Sequence, residues 1–216
     1  MERVKGKVVM RKRPILIDKI NSKNRNKVSR TIGIMAAHHG TGVTFTAFMI
    51  AMYLSERLGE ETALLERNSH GDFQRIQNTY AWSNEETGHF SFHQLTCFKE
   101  VMDKQYDLIL NQSYENIVLD FGLGNNSNLD EFLRCNIKII IGGLAPWNQE
   151  KLIEFVSGRE EVFKNRSIIY IIPSSNKWLS NRLSRKLYGQ VYEIPYEREP
   201  TMASKKTCKL FKSIFA

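Results

Sequence analysis

Short apolar runs recur along this chain, each separated from the next by a polar or helix-patterned segment, and that alternation limits the folds open to it. The runs are "TIGIMAA" (31–37), "TALLER" (62–67), "NIVLDFG" (116–122), "IKIIIGG" (137–143), "SIIYIIP" (167–173) and "VYEIP" (191–195). They are continuous rather than alternating in polarity, as strands covered on both faces are. Between them, "GTGVTFTAFMIAMYLSERLGE" carries apolar residues at helical spacing and stops at Gly59, and "WNQEKLIEFV" (147–156) starts a helix just after Pro146. "FKEVMDKQYDLILNQS" (98–113) also reads as a helix, and a last one runs from about Thr201 to the end. Residues 68–92 are polar, aromatic and broken by glycine, so loops with at most a short edge strand are expected there. The pattern predicts an α/β domain: a mostly parallel sheet with helices on both faces, its functional loops at the carboxyl ends of the strands.

With 216 residues the chain has ample material for one core. No window reaches the roughly 18 uninterrupted apolar residues of a spanning helix. The start, "MERVKGKVVMRKRP", is basic but lacks the apolar run and cleavage site of a signal peptide. Cys97, Cys135 and Cys208 form no zinc or redox spacing, which suits a reducing compartment, and a cytoplasmic protein is expected. His89 and His93 stand four apart and would share a helix face. Without acidic or cysteine neighbours they are a poor zinc signature.

Charge is unevenly placed. Residues 1–30 hold 11 Lys or Arg against Glu2 and Asp18, while the remaining residues hold 20 basic and 21 acidic groups. The formal +8 of the chain therefore belongs to a basic, flexible amino-terminal arm. Such an arm suits nucleic acid or an anionic membrane, or is simply a solvated extension.

The stretch "AAHHGTGVTFTAF" (36–48) has the rhythm of a phosphate-binding loop. Such a loop aims backbone N–H groups and a helix N-terminus at anionic oxygens, uses glycine to curl closely, and places a Ser/Thr hydroxyl on magnesium. Gly40, Thr41, Gly42, Val43 and Thr44 are the candidate binding residues, and Thr44 with Asp120 the candidate magnesium pair. Val43 stands where the loop lysine belongs, which removes the main cationic clamp. A tight turn without a ligand is the alternative for the loop, and a turn-capping role the alternative for Asp120.

"IGIMAAHHGTGVTFTAFMIAMYLSERLGEETALLERNSHGDF" resembles the opening of the ParA/MinD class of P-loop ATPases, whose deviant loop has the form K-G-G-x-G-K-T. In that comparison His38 falls on the signature lysine, Gly40 and Gly42 on the glycines, Val43 on the loop lysine and Thr44 on the magnesium hydroxyl. "LLERNSHGD" is similar to "LLIDxDPQGN", with Glu66 and Asn68 in place of the two aspartates and Gly71 retained. "YENIVLDFGLG" resembles the Walker B strand ending in Asp120, and "YEIPYEREP" the late segment near the base in relatives. Asp72 lies beside the same loop.

The resemblance spans about Thr31 to Thr201 and implies a three-layer P-loop NTPase domain over residues 31–203, between the arm (1–30) and a basic amphipathic segment (204–216). It implies ATP or ADP with magnesium as ligand and a face-to-face homodimer. With both lysines missing it implies a degenerate member, closer to the localisation proteins of the TadZ type than to a fast ATPase. A localisation or assembly factor at the cell envelope, working through protein partners, is the expected function. No catalytic residue is assigned.

In "SKKTCKLFKSIFA", Leu210, Phe211, Ile214 and Phe215 share one helical face ringed by Lys205, Lys206, Lys209 and Lys212. This describes an interfacial membrane helix at the inner face of the membrane, or the last helix of the fold packed on the sheet. Two other functions stay open: an active ATPase or small-molecule kinase with Arg67 or Arg75 replacing the lysine, and nucleic-acid binding through residues 1–30.

Overall fold

The computed structural model describes residues 29–80, 88–143, 145–173 and 177–215. The expectation of a basic flexible arm therefore lies almost wholly outside the described residues. At its edge, Arg30 belongs to the first strand and not to an arm.

In chain order the elements are β1 (Arg30–Ala36), α1 (Val43–Met52), β2 (Thr62–Glu66), α2 (Asp72–Tyr80), β3 (His89–Phe92), β4 (Leu95–Phe98), α3 (Asp103–Leu110), β5 (Asn116–Leu123), α4 (Asn126–Arg134), β6 (Ile137–Ile141), α5 (Pro146–Ser157), α6 (Glu160–Phe163), β7 (Ile168–Pro173), α7 (Lys177–Lys186), β8 (Gly189–Ile194) and α8 (Lys205–Phe215). The described strands form one eight-stranded sheet in the order β3-β4-β2-β5-β1-β6-β7-β8. Only the edge strand β3 is antiparallel, pairing with β4. The expected parallel sheet is thus present, and its apolar runs are the strands.

Each face of the sheet is covered. One core gathers α1, Phe73 of α2 and Phe211 and Phe215 of α8 against Ile32, Ile34, Leu64 and Val118. The other gathers Ile109 of α3, Phe132 of α4, Leu152, Phe155 and Val156 of α5, Phe163 and Leu183 against Met35, Leu65, Leu119 and Ile140. Alternate residues of each strand feed opposite cores, so a strand between two helical layers must be apolar throughout. β1 is flanked by β5 and β6, and the chain departs in opposite directions from it. The carboxyl end of β1 is therefore the crevice of this topology.

Several expectations are corrected. Residues 68–92 include the helix α2, and the run from Phe98 to Ser113 begins as the end of a strand, turns at Glu100 (φ 44°), and is helical only from Asp103 to Leu110. α4, α6 and α7 were not foreseen. His89 lies on β3 and His93 in the following turn at φ 53°, so the pair shares no helix face. Among the described residues no three His, Cys, Asp or Glu side chains converge as a metal site. The helix after β1 passes from α-helical geometry into a π-helical segment, Tyr53–Arg57, before Gly59 ends it at φ 70°.

The carboxyl-terminal helix starts at Lys205, later than expected, and buries Thr207, Phe211 and Phe215, with Leu210 and Ile214 packed at the margin of the core. Arg30 holds its end: Nη1 donates to the Phe215 carbonyl at 3.2 Å, and the guanidinium stands 5.8 Å above the Phe215 ring. The apolar face that a membrane would need is occupied by the protein's own core, so the last-helix reading is the one the fold adopts. No helix among the described residues is long and apolar enough to cross a membrane.

Candidate functional site

The loop from Ala37 to Gly42 joins the end of β1 to the start of α1. Backbone pairing carries β1 a step into it: the Ala37 N–H donates to Ile141 O at 3.2 Å and the Gly124 N–H donates to Ala36 O at 2.9 Å. Gly40 (φ 77°) and Gly42 (φ 79°) both take the left-handed conformation that side chains with a Cβ resist. Gly42 is the N-cap of α1 and has no capping side chain, and its carbonyl accepts from Thr46 N at 2.9 Å. No acidic residue lies in the first turn of α1, so its free N–H groups and positive dipole end face the loop uncompensated. Beside it is a cavity of about 240 Å³ lined by the loop from His38 to Phe45, with His70, Asp72 and Leu123. That is room for a chain of phosphate groups, with a larger ligand projecting outward.

All five residues singled out in the loop, Gly40, Thr41, Gly42, Val43 and Thr44, line this cavity. Val43 also packs on the core beside α1. The Thr41 hydroxyl and His38 Nε2 are buried without a hydrogen-bond partner. His38 Nδ1 lies 2.8 Å from the His39 carbonyl and donates to it, so a neutral His38 presents only a lone pair at Nε2. It is therefore no substitute for a lysine unless protonated. Its ring crosses the end of β6, where a Cβ on Gly143 would come within 2.6 Å of His38 and 2.7 Å of Asn148.

Asp120 is fully buried on β5 beneath the loop, cross-strand from Glu66 on β2. The strand continues through it to Leu123, past the end at Asp120 that the resemblance implied. Its Oδ1 accepts from Gly122 N at 2.9 Å, while Oδ2 has no well-formed hydrogen bond. Burial pushes its pKa up to about 6, and the nearby Thr44 hydroxyl and the Gly122 N–H oppose the rise.

Glu66 is the last residue of β2. It is fully buried, accepting from Asp72 N (2.7 Å), Phe73 N (3.3 Å) and Glu100 N (3.3 Å). Burial raises its pKa, against those three N–H groups. Glu66 thus ties the start of α2 and the turn after β4 to the sheet beside the loop.

Asn68 spans the gap between strands: its Nδ2 donates to Asp120 O at 3.0 Å and its Oδ1 accepts from His70 N at 3.0 Å. Asp72 lines the cavity and pairs with Arg75 at 2.9 Å, and Arg75 also donates to His70 O at 2.8 Å. Arg67, suspected as a lysine substitute, is committed elsewhere. It pairs with Glu131 and with Asp103 (2.8 Å), donates to Val101 O at 2.6 Å, and stacks 5.2 Å from the Tyr106 ring. Burial opposes its charge, but Glu131 and Asp103 outweigh burial and hold its pKa above the usual value. A kinase or ATPase relying on Arg67 is not supported by this geometry.

Two features of the site were missed in the sequence. The Glu66 anchor depends on backbone N–H groups from two distant segments, which no local pattern reveals. The Asn125 cap after β5 was legible: its side chain accepts from Ser127 N and Asn128 N, and Asn128 answers to the Asn125 N–H at 3.0 Å. That reciprocal box, with Asn in place of Glu, marks the start of α4.

No protein-family model matches the chain, and no curated protein does. Solved structures do. A plasmid partition protein from Borrelia burgdorferi bound to AMPPNP is 16% identical, with a TM-score of 0.63 over 88% of this chain and 98% of that one. The septum site-determining protein MinD from Pyrococcus horikoshii, complexed with Mg-ADP, is 12% identical, with a TM-score of 0.62 over 86% and 94%. MinD in the MinC:MinD cell division complex of Aquifex aeolicus is 15% identical, with a TM-score of 0.59 over 86% and 96%. This chain has the fold of the ParA/MinD-type P-loop ATPases.

Proposed function

We propose that the protein binds ATP or ADP with magnesium at the loop Gly40–Thr44 and acts as a slow or non-hydrolysing member of the ParA/MinD type, in positioning or assembling a cellular structure through protein partners. The observation that carries this reading is the loop itself. Two left-handed glycines aim the bare N-terminus of α1 into a cavity beside a buried carboxylate that lacks a full set of hydrogen bonds.

The residues present fit such a ligand. Phosphate oxygens would accept from the loop N–H groups and from the buried Thr41 hydroxyl. Thr44 and Asp120 would hold magnesium, which would supply the positive charge that the absent lysine does not. Asp120 is adjacent to the buried Glu66, and a divalent cation held between Thr44 and Asp120 would balance the Asp120 carboxylate. Slow turnover follows from Val43 at the lysine position, and from Asn68, whose amide is engaged with Asp120 O and His70 N. Solved neighbours carry AMPPNP or Mg-ADP, and one is in complex with MinC, which supports nucleotide binding and a partner-dependent role, with a nucleotide-bridged homodimer as the form in which partners are engaged. Membrane contact through residues 204–216 would require α8 to leave the core and has less support than protein partners.

Calorimetric titration of ATP and ADP, with and without magnesium, tests this. The expected result is micromolar binding that depends on magnesium, weakens at least tenfold in Thr44→Ala and is lost in Gly42→Val, with hydrolysis far below one turnover per second. Silence up to millimolar nucleotide would make the loop a structural turn only.

A further inference from the structure

The cavity beside the loop has no lysine or arginine among the residues that line it, although a nucleotide there requires positive charge against its phosphates. His70 and Asp72, in the segment after β2, form part of its wall, and one guanidinium is bonded to both. Arg75 of α2 donates from Nη1 to His70 O at 2.8 Å and to Asp72 Oδ1 at 2.9 Å. This cation therefore stands one hydrogen bond behind the cavity wall.

Its bonds are of a kind that a ligand can exchange. The side chains of Arg75 and Asp72 are 70% and 42% exposed, and an ion pair so open to water holds weakly. Arg67 is the contrast: its side chain is 10% exposed and fixed by Glu131, Asp103 and Val101 O. Both bonds of Arg75 leave from Nη1, so they do not use the Nε and Nη2 edge, which matches two oxygens of one phosphate. A phosphate also carries more charge than the carboxylate it would replace. Asp72, once released, is exposed enough to be solvated. Its N–H still donates to Glu66 Oε1 at 2.7 Å, so the start of α2 stays anchored.

Strand order indicates which phosphate is concerned. In loops of this kind the backbone N–H groups take the inner phosphates, and the outermost lies on the side of the metal-binding hydroxyl. Here that hydroxyl, on Thr44, is beside Asp120 of β5, and the next strand on from β1 and β5 is β2. The turn after β2 closes on the same spot: a Cβ on Gly122, two residues past Asp120, would come within 2.9 Å of the His70 ring. We propose, resting on the nucleotide reading of the loop, that Arg75 leaves Asp72 for the terminal phosphate of a nucleoside triphosphate. It thereby supplies the cation that Val43 does not. A diphosphate ends short of Arg75 and leaves the Asp72 pair intact, so this residue selects triphosphate over diphosphate.

Calorimetric titration of the full chain with Mg-ATP and with Mg-ADP, in wild type and in variants of Arg75, tests the assignment. Arg75→Gln is expected to weaken ATP about tenfold or more and ADP less than about twofold, the loss of one charge-assisted contact. Arg75→Lys, which keeps the charge without the fork, should fall between wild type and Arg75→Gln for ATP. The melting temperature without nucleotide should be unchanged. Should Arg75→Gln melt early, the Arg75 Nε–H resonance of the wild-type protein is expected to shift on adding ATP and to stay in place with ADP. Equal effects of Arg75→Gln on ATP and ADP, or an Arg75 resonance that ATP does not move, would overturn the proposal while leaving the loop a nucleotide site. Wild-type protein that binds neither nucleotide would overturn both.

Discussion

Asp120 shows how burial of a single carboxyl sets the pH dependence of stability. Its carboxyl titrates near 6 in the folded protein, against about 3.8 when unfolded, because burial disfavours the charged form. Between those values the folded state binds more protons than the unfolded one, so stability falls as pH rises from about 4 to 6 and is level above that. Asp120→Asn removes the buried charge and is expected to raise stability at pH 7.5 by roughly 1–3 kcal/mol. It should flatten the pH dependence in urea melts and abolish the magnesium dependence of nucleotide binding. A variant that is less stable at pH 7.5 would show that the carboxylate is structurally required. Position 120 was legible because a lone aspartate in an apolar run before a glycine is conspicuous. The anchoring role of Glu66 was not legible, because only the folded chain delivers the N–H groups of Asp72, Phe73 and Glu100 that its buried carboxylate accepts.

At the scale of elements, α8 is the case in which one amphipathic pattern served two readings. Leu210, Phe211, Ile214 and Phe215 suit a bilayer or a sheet equally, and in the fold Phe211 and Phe215 join the core formed by α1, Tyr53 and Ile194 of β8. Phe211 is fully buried and makes an edge contact with Tyr53 at 5.5 Å between centroids. Phe211→Ala is therefore expected to cost about 3–5 kcal/mol, read as a lower denaturant midpoint with an unchanged slope. A loss under about 1 kcal/mol would mean that α8 is loosely docked and available to another surface. The unforeseen α2 and α4 have the opposite cause. Each is only nine residues long and largely polar, and its apolar stripe is short, Phe73, Ile76 and Tyr80 in α2 and Leu129, Phe132 and Leu133 in α4. They form because those short stripes pack into the two cores and because Glu66 and Asn125 satisfy their first N–H groups.

For the molecule as a whole, the glycine loop lies at the carboxyl ends of the strands, while Arg134, Lys138 and Arg166 line a hollow at their amino ends. Ligand at the loop should stabilise the entire domain, because β1, β5, α1 and the turn at Glu66 converge there. With micromolar affinity, about 1 mM Mg-ATP is expected to add roughly 4 kcal/mol and raise the melting temperature by several degrees. Thr44→Ala should lose most of that shift, and a wild-type melt indifferent to nucleotide would contradict the loop assignment.

Local chemistry was enough to determine a great deal from the residues in order. Continuous apolar runs demand a covered parallel sheet, glycines before a helix demand a tight loop at a strand end, and a basic start with a neutral remainder is a matter of composition. Those features depend on near neighbours in the chain. What only the tertiary structure decided depends on residues far apart in it. Arg67 was withdrawn from the loop by Glu131 and Asp103, Glu66 was buried by Asp72, Phe73 and Glu100, and Arg134, Lys138 and Arg166 were gathered around one hollow. Long-range charge pairing and backbone satisfaction are set by where the strands lie in the sheet, and strand order is not written in any single segment.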